Sequence, residues 1–198
     1  MALPEDVDPE SLSRLPLVKR EALDEHGRRL YDLALSPEGR TIVGLQGPGG
    51  IWLHSPKLAE RVRATNQYLR YETALGRRLT ELAILVTARE LDHQFEWTAH
   101  EAVALKEGLG QTIIDVVKHR KPVTGLGPTE ALIVEFGREL FREKKVRSAT
   151  FARAVEVFGR AGLVELVTLM GNYAMTAVVL NAFDQQLRPG QEPLLPIP

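Results

Sequence analysis

The stretch Thr80-Glu81-Leu82-Ala83-Ile84-Leu85-Val86-Thr87-Ala88-Arg89-Glu90-Leu91 decides the fold class of this chain. Five apolar residues follow one another from Leu82 to Val86, so a helix formed by this stretch has almost no face left for solvent. We therefore predict a helix over 80–91 that other elements cover on most sides.

Helical patterns continue on both sides of this stretch. We predict helices at Pro16 to Leu35, Lys57 to Tyr71, His93 to Glu107, Thr112 to His119, Thr129 to Lys145 and Ser148 to Phe158, and then a long apolar helix to Phe183. Asp92 is the expected N-cap of the helix that follows it, and Gly108 its stop. The segment from Gly44 to Pro56 holds too much Gly and Pro for a regular element. No strand pattern is present, so the predicted fold is all-α.

The chain divides by pattern into three parts. We predict an N-terminal helical extension over 1–43, a helical domain over 44–188 and an extended Pro-rich tail over 189–198.

The apolar segment from Leu163 to Phe183 could be mistaken for a membrane span. It carries a line of polar residues, Glu165, Thr168, Asn172 and Thr176, on one helical face, which favours a buried helix without a membrane. No secretory or mitochondrial pattern opens the chain, so the default location is cytoplasmic.

Charge and cysteine content exclude several classes of function. The 198 residues contain 25 Lys+Arg against 26 Asp+Glu, and the basic pairs are scattered, which argues against a nucleic-acid partner. There is no cysteine. Disulfides, thiolate metal sites and thiol nucleophiles are therefore excluded for these residues.

Glu81 is the first candidate catalytic residue, because its helical face is apolar. Positions three, four and seven further on are Ile84, Leu85 and Ala88. A buried carboxyl at this place would have a raised pKa and could exchange protons near neutral pH. The alternative is an ordinary carboxylate in the first helical turn, favoured by the helix dipole.

A second group of candidates opens the next helix. His93, Glu96 and His100 are spaced by three and four residues, so all three project from one face. They could bind a divalent metal, transfer protons as a carboxylate–imidazole pair, or form a solvated pair on an outer face. Trp97 could line the same site as these three residues. Trp52 and His54, in the Gly/Pro-rich segment, are further candidate substrate-binding residues.

Several motifs together resemble the carboxymuconolactone decarboxylase family, which includes the AhpD-like alkylhydroperoxidases. The motifs are Arg78-Leu79-Thr80-Glu81-Leu82-Ala83-Ile84-Leu85, Glu96-Trp97-Thr98-Ala99-His100-Glu101, Gly108-Leu109, Leu163-Val164-Glu165-Leu166, Gly171-Asn172-Tyr173 and Asn181-Ala182-Phe183. The resemblance extends over roughly 50 to 185. It implies an all-helical fold whose subunits intertwine as homo-oligomers, usually trimers or hexamers.

The resemblance also implies roles for single residues. AhpD-like peroxidases pair a helix glutamate with a Cys-x-x-Cys and a histidine, and here Glu81 and His100 match the glutamate and the histidine. The cysteine positions fall on His93 and Glu96, so a thiol–disulfide cycle is impossible. The decarboxylase branch also lacks that cysteine pair and has a carboxylate near the histidine, as this chain does.

We predict a cofactor-free enzyme that performs acid/base chemistry on a small carboxylate or carbonyl compound. Glu81, Glu96 and His100 are the predicted catalytic residues, and Trp52, His54, His93 and Trp97 the predicted substrate-binding residues. The reaction would be decarboxylation by a lyase, or lactone or carbon–carbon cleavage, with hydrolysis possible. One alternative is a metal-dependent enzyme built on His93, Glu96 and His100. The other is a non-catalytic oligomer that binds a small ligand or a protein partner, in which Glu81, Glu96 and His100 are exposed or do not converge.

Overall fold

A computed structural model describes residues 3–197. Its helices are α1 (Glu25–Leu35), α2 (Pro48–Trp52), α3 (Pro56–Tyr71), α4 (Arg77–Glu90), α5 (Gln94–Lys106), α6 (Gln111–Lys118), α7 (Pro128–Arg138) and α8 (Ser148–Ala182). A π-helix, Glu139–Glu143, extends α7, and short 3₁₀ turns occupy Arg20–Ala22 and Pro37–Gly39. Within 3–197 there is no strand, apart from an isolated bridge between Asp8 and Ser13. The all-α prediction is confirmed.

Two predictions in the N-terminal part are wrong. The first long helix begins only at Glu25, because the side chain of Asp24 accepts a hydrogen bond from the amide of Gly27 and so caps the helix there. The segment over 44–56 is not irregular throughout, since it contains α2. Pro48 sits in the first turn of that helix, where its missing N–H is not needed.

The described residues form two compact units. Unit 1 comprises the described part of Met1–Thr65 together with Val178–Glu192, and unit 2 comprises Asn66–Ala177 together with the described part of Pro193–Pro198. The main apolar core lies in unit 2, and it includes Leu195 of the tail, which is only 3% exposed. The tail residues that we expected to be merely extended therefore contribute to a core, and Pro196 accepts a hydrogen bond from Arg89 at 2.7 Å.

Helix α4 is the centre of unit 2. Its residues from Thr80 to Arg89 are all buried, and it packs against α5, α6 and α7. The approach of α7 is close, because a Cβ atom at Gly137 would lie 2.3 Å from the Cγ1 atom of Val86. The prediction of a covered helix at this stretch is confirmed.

Helix α8 is interrupted at Gly159, whose φ of 67° and ψ of 174° are not helical. The prediction that one helix ends at Phe158 and another follows is therefore confirmed. The second helix is buried on one face, through Leu166, Met170 and Tyr173, and its opposite face is exposed. By length and composition α8 could cross a membrane, but half of its most apolar stretch is buried within the protein, and buried core helices share this length and composition.

Candidate active site

The turn between α4 and α5 determines where the candidate residues point. Asp92 has a φ of 50°, and its carboxylate pairs with Arg120 at 2.8 Å and with Arg89 at 3.3 Å. It does not cap α5, so that prediction is wrong. The N-cap is His93, whose Nδ1 accepts a hydrogen bond from the amide of Glu96 at 3.2 Å. A helix that starts in this way turns Glu96 and His100 inward, where both are buried.

Glu81 and His100 meet across α4 and α5. The Oε2 atom of Glu81 lies 2.6 Å from Nδ1 of His100, and Oε1 accepts a hydrogen bond from Arg77 at 2.7 Å. Arg70 lies 3.5 Å from the same Oε1 atom. Because an ionised carboxylate can only accept hydrogen bonds, Nδ1 of His100 carries a proton and donates it to this bond. Nε2 is the ring nitrogen on the side away from Glu81.

Burial does not make Glu81 a proton donor. Desolvation raises the pKa of its carboxyl, but His100, Arg70 and Arg77 together outweigh that cost and lower the pKa from 4.5 to about 2. Glu81 is therefore ionised at neutral pH, and the predicted rise of its pKa is wrong. The alternative of a first-turn carboxylate is also wrong, because α4 already begins at Arg77 and Glu81 is 0% exposed.

Glu96 faces the other side of the His100 ring. Its Oε2 atom lies 3.6 Å from Nε2, which is too long for a hydrogen bond. Burial raises the pKa of Glu96; His100 and Arg70 oppose this rise, and the charge of Glu81 adds to it. The site thus holds two carboxyls of opposite character on one imidazole, an ionised Glu81 and a Glu96 that keeps its proton to higher pH.

His93 lies beside this group, but it is used for structure. Its Nδ1 caps α5, and burial lowers its pKa from 6.5 to about 4, against the effect of hydrogen bonds to the backbone of Ala177 and of His93 itself. Within residues 3–197, no three His, Asp or Glu side chains are grouped so that they could hold a metal ion. The geometry therefore does not favour the metal hypothesis for His93, Glu96 and His100, and a substrate contact of His93 stays a prediction.

The other predicted substrate-binding residues lie in different surroundings. Trp97 is fully buried in the core, where its Nε1 donates to Glu101 and where Lys118 lies 5.7 Å from its ring centroid. Trp52 and His54 belong to unit 1, and a ring nitrogen of His54 lies 3.0 Å from the carbonyl oxygen of Pro16. Contact of these three residues with a substrate stays a prediction.

Three residues of the site were not predicted from the sequence. Arg77 could have been found, because it precedes Glu81 by four residues on one helix. Arg70 and Tyr173 come from α3 and α8, and nothing in the sequence around them indicates that they contact Glu81 or His100. The ring of Tyr173 stands edge-on to that of His100, with centroids 5.1 Å apart, and burial raises the pKa of its hydroxyl.

Fold and site together define a class: an all-helical protein with a buried carboxylate–imidazole–carboxyl group suited to moving protons. Residues 56–133 match the model of the carboxymuconolactone decarboxylase family, so this segment of the chain is similar to that family. The matched segment is shorter than the resemblance over 50–185, but it contains Glu81, Glu96 and His100. No curated protein and no solved structure matches the chain.

Proposed function

We propose that this protein is a cofactor-free acid/base enzyme acting on a small carboxylate or carbonyl compound, most simply a lyase that removes carbon dioxide. The observation that carries the proposal is the buried group of side chains in which His100 lies between Glu81 and Glu96. One imidazole stands between a carboxylate that fixes its tautomer and a carboxyl whose pKa is raised by burial. Groups whose environments push their pKa values apart are suited to acid/base roles.

The proposed step follows from these positions. The bond from the substrate carbon to its carboxylate breaks, carbon dioxide leaves, and the electron pair stays on the carbon as an enolate-like anion. Glu96 then donates its proton to that carbon. The ionised Glu96 recovers a proton from water through Nε2 of His100, while Glu81 stabilises the imidazolium that forms on the way.

The same groups support a second reaction. In lactone hydrolysis, His100 takes a proton from water at Nε2 while the water oxygen attacks the carbonyl carbon. The ring C–O bond then breaks as Glu96 protonates the leaving oxygen, and the proton on His100 returns to Glu96, which would make the enzyme a hydrolase. Peroxide reduction through cysteines is excluded, because these 198 residues contain none.

A non-catalytic oligomer is less consistent with the geometry. That alternative predicts that Glu81, Glu96 and His100 are exposed or far apart. In the structure all three are buried, and the two glutamates lie beside the two ring nitrogens of His100. Burying two carboxyls and an imidazole is costly for folding and is most often found where pKa values are tuned for function.

The test is turnover of carboxylated lactones and β-keto acids, followed by NMR in D₂O. We expect Glu96→Gln and His100→Asn each to reduce turnover by roughly 100-fold or more, because each removes a positioned acid or base. Glu165→Gln is the matched control, since Glu165 bonds to Tyr68 outside this cluster. If both variants in the cluster turn over every accepted substrate at the rate of the wild type, the proposal is wrong.

We further propose that the protein is a homo-oligomer joined through the exposed face of α8. Val164, Val167 and Met175 lie on that face, and Val164 is 64% exposed. Between Ala161 and Ala177 the helix carries no Lys or Arg and a single acid, Glu165. Because an uncharged apolar face is complementary to itself, a second copy of this chain fits it best.

A further inference from the structure

Arg70 is a buried cation, and one of its hydrogen-bond donors has no acceptor among the described residues. It lies in the last turn of α3 and is 7% exposed. No acceptor among the described residues reaches its Nε atom, and the nearest carboxylate oxygen is Oε1 of Glu81, 3.5 Å from Nη2. A guanidinium has five N–H donors in a fixed plane, and buried donors without acceptors are rare in folded proteins.

The carboxylate nearest to Arg70 is already occupied. His100 lies 2.6 Å from one oxygen of Glu81, and Arg77 lies 2.7 Å from the other. Arg77 is less buried and has a second partner, Glu107, at 3.5 Å. Both guanidinium groups lie near the ring of Tyr71, 5.1 Å from its centroid for Arg70 and 4.5 Å for Arg77. Two cations therefore share one buried carboxylate, and among the described residues Arg70 has no second carboxylate within ion-pair distance.

Glu96 does not replace that missing partner. It interacts electrostatically with Arg70, but burial raises the pKa of its carboxyl and so disfavours its charged form. A buried guanidinium whose Nε atom has no acceptor among the described residues is stabilised when an anion enters.

We propose that Arg70 binds a carboxylate group of the substrate and so selects anionic substrates for this site. A carboxylate suits the guanidinium because its two oxygens can accept parallel hydrogen bonds from Nε and an Nη atom. The role is binding and not proton transfer, so Arg70 acts mainly on KM. The proposal rests on the proposed function, because it assumes that the substrate enters beside Glu81, Glu96 and His100.

The test uses two pairs of probes, benzoate with benzamide and acetate with acetamide, which differ mainly in charge. Titration of the wild type is followed by NMR at the arginine Nε–Hε signals, and the signal of Arg70 is assigned by its loss in Arg70→Lys. We expect benzoate or acetate to bind at least roughly tenfold more tightly than its amide and to shift the Arg70 signal. If neither carboxylate binds in preference to its amide, or if binding leaves the Arg70 signal in place, the proposal is overturned.

Two variants test the same point from the protein side. Arg70→Met should abolish the preference for the carboxylate, whereas Arg78→Met should keep it, because Arg78 is partly exposed and pairs with Glu130 instead. Should Arg70→Met fail to fold, the NMR titration of the wild type still decides. Glu96→Gln should lose turnover but bind the carboxylate as the wild type does. If Glu96→Gln loses turnover but Arg70→Met keeps the preference for the carboxylate, this inference alone is overturned. If Arg70→Met loses that preference but Glu96→Gln turns over at the rate of the wild type, the mechanism alone is overturned.

Discussion

Replacing His93 by Asn should make the stability of the protein less dependent on pH. His93 is buried as a neutral ring, with its pKa lowered from 6.5 to about 4. Between these two values the unfolded chain binds a proton that the folded chain does not, so stability falls as the pH falls from about 6.5 to about 4. A difference of about 2.5 pH units, at 1.36 kcal/mol each, amounts to about 3 kcal/mol.

Asparagine is a suitable replacement, because its side-chain oxygen can accept the hydrogen bond from the amide of Glu96 that His93 now accepts. The assay is urea unfolding of the wild type and of His93→Asn at a series of values from about pH 7 to about pH 4. The wild type should lose about 3 kcal/mol more than the variant over this range. Other titrating groups contribute to both proteins and cancel in the comparison. Equal losses would refute the reasoning that His93 is buried without its proton.

Three further predictions concern the frame around the site. Glu81→Gln should lower the free energy of unfolding by about 3 kcal/mol at neutral pH, measured by urea unfolding, because it removes the charge that two arginines share; a wild-type value would contradict the pairing. Gly137→Ala should cost about 1 to 3 kcal/mol by thermal unfolding, since the added methyl would press on Val86, and an unchanged Tm would contradict the close packing of α7 on α4. Val164→Lys should yield smaller species than the wild type in sedimentation, without loss of helicity, and an unchanged assembly would rule out this face as the contact between copies.

The sequence was sufficient to predict the central helix and the meeting of two site residues. A helix that contains the apolar run from Leu82 to Val86 must be covered on most sides, and α4 is covered in this way. Glu81 and His100 were paired by a family resemblance, and the distance of 2.6 Å between them agrees with that pairing. The position of Gly108, just beyond the end of α5, is also as predicted, since its φ of 84° stops the helix.

Other features depended on contacts between residues far apart in sequence. Asp92 is a suitable N-cap by residue type, but it pairs with Arg120, which follows it by 28 residues. The pKa of Glu81 falls because Arg70 and His100 come from the helices before and after it. A periodic pattern identifies a buried face, but it does not identify which charges from other helices meet that face.

The protonation of Glu96 in the folded protein is the central claim of the mechanism. Infrared difference spectra between the wild type and Glu96→Gln test it directly, because a protonated carboxyl has a C=O band that a carboxylate lacks. Because burial raises the pKa of Glu96, we predict that the wild type keeps this band to a higher pH than an ordinary glutamate does, and that the band disappears as the pH rises further. A band that is lost in the pH range in which an ordinary glutamate ionises would contradict the role of Glu96 as the proton donor.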